Sequence, residues 1–223
     1  MDNRSFLDAW LSRLADIGPE LGWATLDTLY MVLISSLLSL FLGFMLAVLM
    51  ILANPQGLKP MPGLYRVLDI LVNIGRSFPF IILLIAIIPF TRLVVGTTIG
   101  STAAIVPLTV AAAPFAARLI EACFLEVDRG VIEAARSFGA GNMQIIFRVL
   151  LPEALPSIIL NVAVLAITLI GYSAMAGVVG GGGFGDKAIA YGYHRFQPDV
   201  MLYAVGILVV LVQIIQTLGN FLY

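Results

Sequence analysis

Residues able to do chemistry are sparse in this chain of 223 residues. The one histidine, His194, stands in the stretch YGYHRF, so a histidine-based metal cluster is excluded, and no metal site is expected. Ser173 and Cys123 are possible nucleophiles of a hydrolase, but no base is placed for either. The run Gly180 to Gly183, with Gly185, has the glycine density of a phosphate loop. It lacks the Gly-Lys-Ser/Thr ending that reaches phosphate and magnesium, and it follows an apolar run rather than a strand, which argues against nucleotide binding. Two polar stripes remain. Asp69, Asn73 and Arg76 recur at i, i+4 and i+7, the spacing of one helix face, while Asn161, Thr168, Tyr172 and Met175 follow at helical spacing further on. Asn73, Arg76, Asn161, Thr168, Tyr172 and Met175 are the candidates to line a path for a polar solute. The alternative is that they lock helices together.

The elements holding these stripes are set by composition. The chain is 61% hydrophobic and only 11% charged, with a mean hydropathy of +1.04, and its apolar runs reach the roughly 20 residues that an α-helix needs to cross a bilayer. An all-α integral membrane protein is expected, as a single transmembrane domain over 1–223. Five spans are predicted, at about 24–52, 65–89, 101–124, 155–179 and 200–222. The first ends at ANPQG, and the glycine-rich stretch between the fourth and fifth is too polar to span and is expected to be a loop. The net charge of -1 excludes a basic nucleic-acid face.

The opening residues lack the basic start and cleavage site of a secretory signal, so no removal is expected. Phe6, Trp10, Leu11 and Leu14 there recur at helical spacing, as in a short interfacial helix. With five spans, Lys59, Arg66, Arg118, Arg129, Arg136 and Arg148 fall on one side, and Arg4, Arg13, Arg92, Lys187 and Arg195 on the other. The excess of Lys and Arg puts the first set in the cytoplasm, with the carboxyl terminus, and the amino terminus outside. Gly43 and Ala47 form a small-xxx-small pair, and the third span is rich in Ala with Pro107 and Pro114. Small residues let helices approach closely in lipid, and the prolines can bend the third helix.

Between the third and fourth spans runs EAARSFGAGNMQIIFRVLLPEALP, Glu133 to Pro156. Asp128 is placed to cap a helix beginning at Arg129, which carries Glu133, Ala134, Ala135 and Phe138 until Gly139 to Gly141 interrupt it. Asn142 is placed to cap a second short helix with Ile145, Ile146 and Val149 on one face, stopped by Pro152. The unit is helix, glycine turn, helix. Its apolar face, ringed by Glu133, Arg136 and Arg148, suits either docking or packing back on the membrane bundle.

The spacing Glu133-Ala134-Ala135, then Gly139, Val149 and Leu151-Pro152, resembles the EAA motif of the membrane subunits of bacterial ABC importers. Val149 stands where that family usually has Ile. The resemblance implies a type I importer permease fold and a coupling helix in a groove of a cytoplasmic ATPase, with Glu133, Ala134, Ala135, Phe138, Gly139, Val149, Leu151 and Pro152 at the interface. A short helix held by a packed face transmits motion as a rigid body, and Gly139 is expected to permit close backbone approach. NIGRSFPFIILLIAIIPFTRL and GYSAMAGVVGGGGFGDKAIAYGYHRFQPDVM extend the likeness to the five-span permeases of methionine importers.

That resemblance implies a homodimer in the bacterial inner membrane, two ATPase subunits that use ATP and Mg, no cofactor in this chain, and an extracytoplasmic methionine-binding lipoprotein. Gly182, Gly183, Tyr193 and His194 are then the expected contact with that lipoprotein. The implied role is import of D- and L-methionine; a different small amino acid is the alternative. A stand-alone ion-coupled carrier is disfavoured because five spans do not halve into inverted repeats, and Asp27, Asp69 and Glu121 all lie near predicted span ends.

Overall fold

The computed structural model describes the backbone of residues 3–222 and the side chains of residue 12 and residues 15–222. Every regular element among them is helical. In chain order these are α1 (Asn3–Ala53), α2 (Pro62–Ser77), α3 (Phe80–Ala86), α4 (Ile88–Val95), α5 (Ser101–Glu126), α6 (Arg129–Ser137), α7 (Asn142–Ile145), α8 (Leu151–Val178), α9 (Gly183–Lys187) and α10 (Pro198–Leu222). The backbone of the amino-terminal tail belongs to α1, while the apolar stripe expected from Phe6, Trp10, Leu11 and Leu14 lies outside the described side chains.

Among the described residues, four helical stretches are long and apolar enough to cross a membrane: Ala15–Ala53, Ser101–Glu126, Asn142–Val178 and Pro198–Leu222. The expected second span, at about 65–89, is instead broken. Phe78 precedes Pro79, which forces it out of the helical region to ψ 125°, and α2 ends there. Pro62–Ser77 and Phe80–Ala86 satisfy the length requirement only together, and a second break at Ile87, before Pro89, begins α4. The stretch expected to be a loop between the fourth and fifth spans is also largely helical, with α9 leading into a π-helical turn at Ala188–Tyr193.

The residues group into two compact units. One comprises Met1–Ser35, Phe80–Leu108 and Ile167–Ile215. Its core includes Leu21, Ala24, Phe184 and Ala204, with Ile17, Tyr203 and Leu211 packed around them. Phe184 is fixed by its backbone N–H, which donates to Thr28 Oγ1 at 3.1 Å. Gly183 permits that approach: a Cβ there would lie 2.6 Å from Thr28 Oγ1, and its φ of +71° also favours glycine.

The second unit comprises Ser36–Pro79, Thr109–Ala166 and Gln216–Tyr223. Here Gly43 of α1 packs against the alanines of α5, where a Cβ on it would stand 2.6 Å from Ala116 Cβ and 2.7 Å from the Ala117 nitrogen, and Ala47 is buried in a cluster with Ile120 and Cys123 of the same helix. The small-xxx-small pair thus serves packing within the subunit. Gly75 does the same for α2, where a Cβ would stand 2.7 Å from Pro114 Cγ. Outward residues of α1 such as Leu37 and Phe41 are exposed, as expected where the surrounding medium is lipid.

Candidate functional site

The segment from Asp128 to Pro152 lies wholly in the second unit. Asp128 caps α6 as its spacing predicts: its carboxylate accepts from the Gly130 N–H at 2.6 Å. At the other end Gly139 N–H donates to Arg136 O at 2.9 Å and Ala140 N–H to Ala135 O at 3.1 Å, the paired bonds of a Schellman cap. Gly139 has φ +80°, and a Cβ there would meet nothing within 4 Å. Among the described residues nothing approaches Gly139, and within the chain what requires glycine is the left-handed backbone that reverses it.

The second helix departs from expectation at both ends. Gly141, not Asn142, is the N-cap, and the Gln144 side chain accepts from its N–H at 2.9 Å. Pro152 does not stop the helix. A π-helical turn, Ile146–Leu150, precedes it, with the Leu151 N–H bonded to Ile146 O, and the helix continues as α8 through Pro156. The wider turn absorbs a backbone donor that proline cannot supply. The second helix and the fourth span are thus one rod.

The apolar face of this rod packs inward. Ile145, Ile146 and Leu150 are fully buried with Phe124, Ile120 and Val48, and Val149 and Leu151 pack partly against the same cluster. Phe44 meets Phe124 edge-on at 6.2 Å and Phe147 at 6.1 Å between ring centroids. Val149 and Leu151 are accordingly a base more than an exposed surface. The outward face is Glu133, Ala134, Phe138 and Gly139, with Met143. Phe138 is 91% exposed, an unusual position for a phenyl ring on a segment so firmly seated.

Two tethers join α6 to the connection between α1 and α2. Arg129 Nη2 donates to Gln56 Oε1, and Arg136 Nη2 donates to Leu58 O at 3.0 Å and Gly57 O at 3.5 Å. Arg136 is therefore turned toward its own chain. Both arginines and Glu133 line a cavity of about 370 Å³.

The first polar stripe closes into a cluster. Arg118 of α5 donates to Glu121 Oε2 at 2.7 Å and to Asp69 Oδ1, and reaches Asn73 Oδ1 at 3.2 Å. Asn73 in turn donates to Asp69 Oδ2 at 3.2 Å, and Tyr65 OH to Glu121 Oε1 at 3.0 Å. Glu121 has no exposed surface, and both its oxygens are bonded. Arg76 lies exposed on the same helix. Sequence reasoning paired Asp69, Asn73 and Arg76 and missed Arg118 and Glu121, whose i, i+3 spacing on the neighbouring span was the available signal.

The second stripe lies along α8. Asn161 donates to Ser157 O at 3.0 Å and to Cys123 Sγ at 3.2 Å, locking α8 to α5 inside the second unit. Tyr172 stacks on Phe80 in the first unit, 4.6 Å between centroids with an interplanar angle of 2°. Thr168 is half-buried and Met175 exposed. Among the residues expected to meet a lipoprotein, Tyr193 and His194 are exposed, with rings 5.4 Å apart. Gly183 is buried against Thr28 and Met31, and Gly182 is half-buried beside Asp27, so the glycines support the turn from within.

Residues 39–223 match the family described as binding-protein-dependent transport system inner membrane component. The chain belongs to that family. The permease is 55% identical over 88% of its length to a probable D-methionine transport system permease protein of Vibrio cholerae, of which the match covers 88%. It is 44% identical to a methionine import system permease protein of Bacillus subtilis, covering 90% of each chain. Its structure superposes with a TM-score of 0.88 on a chain from an inward-facing methionine ABC transporter, at 45% identity over 93% of this chain and 95% of that one. The permease is thus a multi-pass inner membrane protein with the type I importer fold.

Proposed function

We propose that this permease forms the path by which D- and L-methionine cross the inner membrane. The identity of 55% along 88% of the chain to a probable D-methionine permease supports the substrate. The observation that carries the mechanism is the exposed Phe138, set on a segment whose buried side is fixed by Ile145, Ile146 and Leu150. Such a segment presents a rigid outward face to a partner. That partner is an ABC ATPase, which hydrolyses ATP with Mg while this chain supplies the path and no cofactor.

The working assembly is two copies of this chain, two ATPase subunits in the cytoplasm, and an extracytoplasmic lipoprotein that delivers methionine to the face carrying Tyr193 and His194. The Glu133 segment and carboxyl terminus lie in the cytoplasm and the amino terminus outside, the orientation favoured by the Lys and Arg distribution. The pathway candidates remain Asn73, within the Arg118 cluster, and Arg76 on α2, with Asn161, Thr168, Tyr172 and Met175 on α8. Proteoliposomes holding permease and ATPase, with the lipoprotein supplied, test the reading: labelled methionine should accumulate only with ATP inside the cytoplasmic compartment, and unlabelled methionine should compete better than other small amino acids. Uptake by the permease alone on an ion gradient would favour the carrier reading.

A further inference from the structure

The connection between α1 and α2, residues 54–61, is more ordered than its Asn-Pro-Gln-Gly composition suggests. Asn54 Oδ1 accepts from the Gln56 N–H at 2.9 Å, Lys59 N–H donates to Leu52 O at 3.0 Å, and Met61 N–H donates to Ala53 O at 3.0 Å. Gly57 turns tightly enough that a Cβ there would stand 2.4 Å from Ile51 O. The connection is therefore a fixed extension of α1, and it leads directly into Pro62 of α2.

This fixed piece meets α6 around a cavity of about 370 Å³, bordered by Ile51, Leu58, Phe124 and Ile132 as well as the two arginines. Close packing is interrupted there, and the polar links across it add to the contacts that Leu58, Ile132 and Ala135 make with a shared apolar cluster. Those links are Arg129 to Gln56 and Arg136 to the carbonyls of Gly57 and Leu58. A single terminal nitrogen of Arg136 serves both carbonyls, with the shorter bond going to Leu58 O. Beyond the connection, Tyr65 and Asp69 of α2 engage Glu121 and Arg118 of α5. The connection tied to α6 thus continues by its backbone into α2, which is itself bonded to α5.

We infer that the α1–α2 connection is a second coupling element: displacement of the Glu133 segment passes to α2 through Arg136 and Arg129, which act as positioning residues rather than as contacts with the ATPase. The inference rests on the docking role proposed for the Glu133 segment. It predicts that cutting the tether separates ATP hydrolysis from transport while leaving the docked face intact. Arg136→Ala, Arg136→Lys and Gln56→Ala, which removes the other tether from the connection side, are compared in proteoliposomes with ATPase and lipoprotein. Gly139→Arg serves as the docking control.

Arg136→Ala should keep the ATPase through purification, hydrolyse ATP within about twofold of wild type, and move about fivefold less methionine per ATP, a size in keeping with the net contribution of an ordinary exposed hydrogen bond. Arg136→Lys, which keeps the charge on a shorter side chain, should fall between, and Gln56→Ala should show a smaller loss of the same kind. Amide exchange at residues 54–61 should quicken in Arg136→Ala. Unchanged methionine per ATP in both alanine variants overturns the inference, and so does loss of the ATPase from Arg136→Ala, which would make Arg136 a docking contact. Retention of the ATPase by Gly139→Arg would instead overturn the docking reading itself.

Discussion

Arg118 donates at 2.7 Å to Glu121, three residues further along α5, a carboxylate with no solvent-exposed surface. The same guanidinium reaches Asp69 of α2. A buried ion pair adds little to stability compared with apolar groups, but breaking one leaves a charge without a partner. Arg118→Ala should therefore lower stability by about 3–5 kcal/mol, read as a fall in unfolding temperature in detergent. Tyr65→Phe, which removes one donor to Glu121, should cost about 1 kcal/mol. Equal, small effects of the two substitutions would contradict the arrangement.

Helix packing in the second unit depends on missing side chains. Gly43→Ala forces a Cβ to within 2.6 Å of Ala116 Cβ and should destabilise by about 1–3 kcal/mol. Gly206 lies in α10, and a Cβ there would meet nothing within 4 Å, so Gly206→Ala should be neutral or stabilising by up to about 1 kcal/mol. Thermal unfolding of the two variants side by side checks the contrast.

Gly139 separates backbone from surface. Gly139→Ala meets no clash but must hold φ +80°, at roughly 1–2 kcal/mol, and Gly139→Asn should cost less. Both should retain the ATPase. Gly139→Arg adds a long cation to the exposed face and should lose it.

Phe138 is so exposed that Phe138→Ala should leave the unfolding temperature of the isolated permease unchanged while weakening its association with the ATPase at least tenfold. Asp128→Ala, by contrast, should fray α6 by about 1 kcal/mol and speed amide exchange at residues 129–137.

What the sequence made legible was local. Asp128 precedes its helix and Gly139 follows it, and both caps are read from neighbours within a few positions. Apolar runs located the spans for the same reason. The break at Phe78-Pro79 carried a local signal too, since proline constrains the residue before it, but the hydropathy of the surrounding run hid it. The continuation through Pro152 was not legible, because a π-helical turn depends on how Ile145, Ile146 and Leu150 seat against Phe124. The Arg118 cluster was half visible. Each polar stripe shows on its own helix, but their meeting depends on α2 crossing α5 where Gly75 abuts Pro114, a register that no single segment encodes.

Everything proposed for this permease turns on whether the Glu133 segment docks an ATPase through its exposed face. Purification of the permease from its native membrane, wild type beside Gly139→Arg, answers that. An ABC ATPase should accompany wild type and be missing from the variant, while Gly139→Ala, which bears the same backbone strain, keeps the ATPase and unfolds at a temperature similar to that of Gly139→Arg. An ATPase that stays with Gly139→Arg, or none with wild type, would contradict the docking role.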